Sequence, residues 1–211
     1  MSKIKNIVFD FGGVVIEING PAAIKRFKEV GISNIEELID PYRQKGLFSQ
    51  IESGSLSRED FYVEICKMTG KNIDGKDIDM GFHDWLIPVE QKKLDYILEL
   101  RKKYKVLLLS NTNEISMSWA RSEEFLPGRK PLEYYFDELY LSYKLGCVKP
   151  EPEIFQMVIS LAGINPEETL YIDDGEANIA AGKALGFKTF LFEKENNFSE
   201  IESRIAYYEE V

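Results

Sequence analysis

The sequence predicts an α/β protein in which a parallel sheet is flanked by helices and a small helical subdomain is inserted after the first strand. Three observations carry this. Short runs apolar on both faces recur along the chain, as strands buried in a parallel sheet require. Amphipathic helical stretches separate those runs. Between the first run and the second lie nearly a hundred residues, far more than an ordinary crossover needs.

Taken in order, Ile7-Val8-Phe9 is the first expected strand. The stretch from about Glu17 to Pro88 follows, with helix-start signals at Ser33-x-x-Glu36 and Ser57-x-x-Asp60, where a hydroxyl precedes an acid by three positions. Further strands are expected at Val106-Leu107-Leu108-Leu109, Leu139-Tyr140-Leu141, Leu170-Tyr171-Ile172 and Phe190-Leu191-Phe192. From Glu193 on, the acidic tail reads as a strand end followed by a short amphipathic helix. The expected division is therefore a core of residues 1–16 and 89–211 and a helical cap of residues 17–88.

Composition narrows the function classes. Of 211 residues, 44% are hydrophobic and 12% aromatic, enough for a sizeable core and against disorder. The net charge of −10 would repel a nucleic-acid backbone or an anionic membrane over most of the surface, so neither partner is expected. An anionic substrate must then meet a local positive site. Cys66 and Cys147 form no CxxC pair, and no apolar run approaches the length of a membrane span, so a cytoplasmic setting is expected.

Four clusters fall at the C-terminal ends of expected strands, the edge at which open α/β sheets bind ligands. In IVFDFGGV the strand delivers Asp10 to that edge beside Gly12 and Gly13, whose backbone can approach a ligand closely. In LLLSNTN, Ser110 and Asn111 offer a hydroxyl and N–H groups to an anion. Lys149 precedes a proline-started helix in Lys149-Pro150-Glu151-Pro152, where an ammonium and a helix N-terminus could face one anion. Asp173 and Asp174 end a strand in LYIDDGEANIAAGKALG, an arrangement of hard oxygens suited to Mg²⁺. Taken singly, each has a plainer reading: an Asx turn, a polar loop, a solvated lysine, two neighbouring surface acids.

The order and spacing of Asp10, Ser110, Lys149 and Asp173-Asp174 resemble the four motifs of the haloacid dehalogenase superfamily, over essentially the whole chain. FDFGGVV, LLLSNTN, YLSYKLGCVKPEPEIF and YIDDGEANI together are most similar to bacterial sugar-phosphate phosphatases of the α-D-glucose-1-phosphate phosphatase type. The resemblance implies a Rossmann-like core, Mg²⁺ and a small phosphorylated metabolite as substrate. It implies Asp10 as nucleophile, with the Gly12 carbonyl, Asp174 and Asp173 (directly or through water) as metal ligands. Ser110 and the Asn111 amide would hold phosphoryl oxygens, and Lys149 would neutralise charge between nucleophile and phosphate.

One position departs from most phosphatases of that superfamily, which carry an acid two residues after the nucleophile. Here it is Gly12, which keeps the carbonyl and loses the proton donor. General acid catalysis is worth roughly 10²–10⁴-fold, so a readily leaving group, such as the hemiacetal oxygen of a sugar 1-phosphate, is expected to be favoured. Two other readings are a phosphate-binding pseudophosphatase with a regulatory role and a metal-independent haloacid dehalogenase; the paired aspartates speak against the second.

Other residues offer weaker signals. His83 could serve as a substitute acid or sit as a surface or capping histidine. Tyr42, Phe48 and Trp85 could shape a sugar pocket or form the cap's own core, and Trp119 reads as packing. Gly70-x4-Gly75-Lys76 imitates a phosphate-binding loop, but Asp77 replaces the needed hydroxyl and no strand precedes it. Asn178 either supports the second carboxylate or is solvated.

Overall fold

A computed structural model describes residues 3–39, 46–126, 128–194 and 196–210. Its centre is a five-stranded sheet, β1 Asn6–Phe9, β2 Lys105–Ser110, β3 Glu138–Leu141, β4 Thr169–Asp173 and β5 Lys188–Leu191, in the order β3-β2-β1-β4-β5. Every pairing is parallel, with Phe9 opposite Leu108 on one side and Ile172 on the other. All five strands therefore end at one edge. The inner strands β1 and β4 are buried along their whole length, which explains their uninterrupted apolar runs.

Alternation along each strand divides the core into two layers. Ile7, Phe9, Val106, Leu108, Leu170 and Ile172 face one side, under α6 (Gln91–Arg101), α7 (Glu114–Ala120) and α11 (Glu200–Glu210). Val8, Leu107, Leu109 and Tyr171 face the other, under α9 (Pro152–Ala162) and α10 (Glu176–Ala184). A single turn of helix, α8 (Ser142–Leu145), follows β3 directly.

Between β1 and β2 lie α1 (Gly20–Glu29), α2 (Ile35–Leu38), α3 (Leu47–Glu52), α4 (Arg58–Thr69) and α5 (Gly75–Trp85). They share an apolar cluster of their own, which gains Ile115 from α7. Its centre is four phenylalanines, Phe27, Phe48, Phe61 and Phe82, with ring centroids 5.3–5.7 Å apart, in the range of favourable edge and offset contacts. At Gly81 a Cβ would come within 2.3 Å of the Phe27 ring, so the absent side chain lets α1 and α5 close. The chain leaves and re-enters the sheet through adjacent antiparallel segments: Asn19 donates to the Trp85 carbonyl and Ile87 to the Glu17 carbonyl.

Ser57 caps α4 as its spacing predicts, accepting from the Asp60 N–H at 3.1 Å. Ser33 does not cap α2. That helix starts one residue later, after Asn34, and no side chain caps it. Asp74 caps α5 by accepting from Lys76, so Gly70 to Lys76 is a helix-to-helix turn. Among the described residues no helix is long and apolar enough to cross a membrane.

Candidate active site

Asp10 follows β1, and its N–H still donates to the Ile172 carbonyl at 2.8 Å, so the neighbouring strand fixes its backbone. Its buried carboxylate lies 2.8 Å from Lys149 Nζ, which lies 2.7 Å from Asp173 Oδ2. Lys149 thus sits between two carboxylates with almost none of its side chain exposed, the opposite of a solvated turn lysine. Asn111 positions it: Lys149 N–H donates to Asn111 Oδ1 at 2.7 Å and Asn111 Nδ2 donates to the Lys149 carbonyl at 2.8 Å. The Asn111 side chain is therefore committed to the lysine loop. Ser110 is buried at the end of β2, its hydroxyl 3.3 Å from the Asn111 carbonyl.

Asp173 is fully buried and accepts four hydrogen bonds. Oδ1 takes the Gly175 N–H at 2.8 Å and Asn178 Nδ2 at 2.9 Å, while Oδ2 takes Lys149 Nζ and the Tyr171 hydroxyl. A carboxylate has about four acceptor positions, so Asp173 is saturated. Asn178 supports the first aspartate of the pair, where the sequence suggested the second. Tyr171 carries no signal of its own, although its position two residues before Asp173 puts both on one strand face.

Burial pushes Asp10 up to about 7; Lys149 opposes the shift while Asp173 and Asp174 add to it. Burial would lower Lys149, but the flanking carboxylates outweigh it and hold the ammonium charged. Asp174, exposed next to Asp173, is raised by partial desolvation and by that neighbour. One oxygen from each of Asp10, Asp173 and Asp174 falls within 4.8 Å of the others. Three carboxylates facing one ammonium leave an excess of negative charge that a cation would relieve. Gly13 makes room for this cluster: its φ is +78°, and a Cβ there would lie 2.0 Å from Asp174 Oδ2. Gly12 has an ordinary φ, and a Cβ would meet only Ile18 Cγ2, at 3.3 Å.

Residues 4–186 match the family model for haloacid dehalogenase-like hydrolases. The chain belongs to that family. This hydrolase is 46% identical over 187 residues to a D-ribitol-5-phosphate phosphatase of Bacteroides thetaiotaomicron, covering 89% of this chain and 91% of the relative. A predicted HAD-like family hydrolase from Porphyromonas gingivalis superposes with a TM-score of 0.91 at 40% identity, over 97% of this chain and 98% of that one. A HAD family enzyme from Bacteroides thetaiotaomicron, solved with magnesium and inorganic phosphate, does so with a TM-score of 0.87 at 40% identity, over 94% and 98%. The named relative is a phosphatase of a sugar-alcohol phosphate, so the narrower likeness to glucose-1-phosphate phosphatases stands on the quoted motifs alone.

Elsewhere in the hydrolase, His83 lies on α5 and stacks on Trp119 of α7, ring centroids 4.3 Å apart and planes 12° from parallel. It is half-buried in the last turn of α5, where its carbonyl accepts the Leu86 N–H. Burial pulls its pKa down. Phe48 and Trp85 belong to the cluster of the inserted helices, and Trp119 packs against the sheet core, as the plainer readings held. Tyr42 lies outside the described residues.

Sequence reasoning missed two further residues at this edge. Ser142 is completely buried at the end of β3; its Oγ accepts from the Thr112 N–H at 2.9 Å and lies 2.6 Å from the Glu52 carbonyl. Glu52 itself is half-buried at the end of α3, and burial pushes its carboxyl up to about 7. Ser142 falls within the quoted YLSYKLGCVKPEPEIF stretch but has no role assigned there, because the contact joins residues ninety positions apart.

Proposed function

We propose that this hydrolase is a Mg²⁺-dependent phosphatase of a small phosphorylated metabolite, a sugar or sugar-alcohol phosphate, acting through an aspartyl-phosphate on Asp10. The observation that carries the reading is the buried Asp10–Lys149–Asp173 arrangement at the sheet edge, with Asp174 beside it. Asp10 is held on a rigid strand end with one oxygen on Lys149, so its other oxygen is the one to attack phosphorus in line. Lys149 balances charge as the phosphoryl group approaches, and Ser110 with the Asn111 main-chain N–H binds phosphoryl oxygens.

Asp10, the Gly12 carbonyl and Asp174 would hold Mg²⁺, and the gap left by Gly13 beside Asp174 fits that role. When bound, the ion supplies charge neutralisation and orientation for the phosphate. Asp173, with its acceptor positions occupied, supports the site by fixing Lys149. The inserted helices of residues 17–88 serve as a cap that excludes water and selects the substrate.

The likeness to a D-ribitol-5-phosphate phosphatase favours a phosphate carried on a primary hydroxyl over the sugar 1-phosphate that Gly12 suggests. A phosphate-release screen should include pentitol 5-phosphates and hexose 1-phosphates, with Mg²⁺ and with excess chelator. Release should require Mg²⁺, and Asp10→Asn should lower turnover by about 10⁴-fold or more while the far-ultraviolet spectrum stays unchanged. Full activity in chelator would remove the metal from this reading. Unchanged turnover in Asp10→Asn would remove the nucleophile.

A further inference from the structure

Resting on that phosphatase reading, we propose that Tyr171 is a positioning residue for the reaction. By sharing one Asp173 oxygen with Lys149, its hydroxyl sets how far the ammonium is available to Asp10 and to the phosphoryl group.

Tyr171 lies inside β4, completely buried, with Val8 of β1 beside it in register. Its ring is clamped. Phe155 meets it edge-on with centroids 5.4 Å apart, Phe187 lies at 6.1 Å, and a Cβ on Gly182 would fall 2.7 Å from its Cδ1. A phenylalanine would fill the same space and bring no polar atom into the core, where an unpartnered hydroxyl is costly. The hydroxyl has a partner at the sheet edge: it donates to Asp173 Oδ2.

Lys149 Nζ donates to that same oxygen at 2.7 Å and lies 2.8 Å from Asp10 Oδ1. The Gly175 N–H and Asn178 Nδ2 hold the other Asp173 oxygen, so the carboxylate cannot turn to new partners without breaking those bonds. An oxygen that accepts from two donors divides its charge between them and holds each less tightly than it would hold one alone. Without the hydroxyl, Oδ2 would rely on Lys149 and draw the ammonium away from Asp10. An ammonium has three N–H donors, so with carboxylates on two sides one is left to meet a phosphoryl oxygen. Tyr171 itself, sealed in the core, does not meet the substrate; it acts through Lys149.

The test is a double-mutant cycle between Tyr171→Phe and Lys149→Met at saturating Mg²⁺. It is read as kcat/KM for nitrophenyl phosphate and, independently of turnover, as the Kd of inorganic phosphate by calorimetry. Tyr171→Phe keeps the ring against Phe155 and Phe187 and removes the hydroxyl alone. In the otherwise wild-type enzyme we expect it to lower kcat/KM about tenfold or more and to weaken phosphate binding about threefold or more. With Lys149→Met in place the same substitution should change either quantity less than about twofold, because no ammonium remains to be positioned. Where Lys149→Met folds poorly, the Mg²⁺ dependence of Tyr171→Phe decides. The residues proposed to hold the ion are Asp10, the Gly12 carbonyl and Asp174, so the half-activating concentration should stay within about twofold of wild type while turnover falls.

Unchanged activity and phosphate affinity in Tyr171→Phe, equal losses in both backgrounds, or Mg²⁺ affinity falling in step with turnover would each overturn the proposal, the last two by showing a general loosening of the sheet edge. Wild type that binds phosphate but releases it from no ester would instead overturn the phosphatase reading, and the binding cycle would still decide the role of Tyr171.

Discussion

At the carboxyl edge of the sheet, Asp10, Lys149 and Asp173 each lean on another charged group, and four donors saturate Asp173. The inserted helices are built the other way, around four packed phenylalanine rings, with ion pairs such as Arg26–Asp84 and Arg58–Asp79 outside that cluster. The difference teaches where rigidity is needed. The groups proposed to meet the phosphoryl moiety are preorganised by strands and by one another, which would leave little reorganisation for the reaction. The helices carry their own apolar core, so as the proposed cap they could vary their outward side chains without disturbing that edge.

Phe48→Ala is the strongest way to break this separation. It removes a ring from the centre of the aromatic cluster and should cost about 3–5 kcal/mol, concentrated in the inserted helices. Hydrogen exchange should rise in residues 46–85 while β1 and β4 stay protected. Nitrophenyl phosphate turnover should persist while discrimination among sugar phosphates weakens. Equal loss of protection in the sheet would show that the two regions fold as one unit.

Gly13→Ala tests the sheet edge. A left-handed backbone and a Cβ 2.0 Å from Asp174 Oδ2 should cost about 2–3 kcal/mol and displace that carboxylate. Weaker Mg²⁺ activation, by about tenfold or more in a metal titration, is the expected reading. Gly12→Ala is the contrast: its φ is ordinary and only a side-chain methyl must yield, so a smaller effect is expected. Equal effects at both positions would mean that Asp174 is not held through Gly13.

The smallest effect concerns pH. With its folded-state pKa raised to about 7 by burial, against about 4.5 when unfolded, Glu52 binds more protons in the folded chain between those values. Its contribution to stability is therefore greatest at low pH and declines as pH rises from about 4.5 to 7. Glu52→Gln should abolish this decline, gaining about 1–2 kcal/mol on wild type at pH 8 relative to pH 4, as read by denaturant unfolding without metal. Parallel pH profiles would mean that the carboxyl is well solvated in the folded state.

Much of this protein is local and so was legible in the chain itself. Apolar runs marked all five strands, most fully in β1 and β4, which are buried throughout, while the edge strands β3 and β5 keep half-buried polar positions at Glu138, Lys188 and Thr189; the same runs placed Asp10, Ser110 and Asp173 at strand ends. The long interval after Phe9 marked the insertion, and Ser57 marked the start of α4. Where local signals were ambiguous, tertiary packing decided. Ser33 gave way to Asn34 before α2, and His83 took a place against Trp119. Asn178 bonds Asp173, and Asn111 spends its side chain on the backbone of Lys149. The roles of Ser142 and Glu52 were not legible, since a hydrogen bond across ninety residues and a desolvated carboxyl are created only when the inserted helices meet the sheet. Strand periodicity and turn chemistry act between near neighbours in the chain, so sequence records them directly, whereas burial and partner choice depend on what the fold brings alongside.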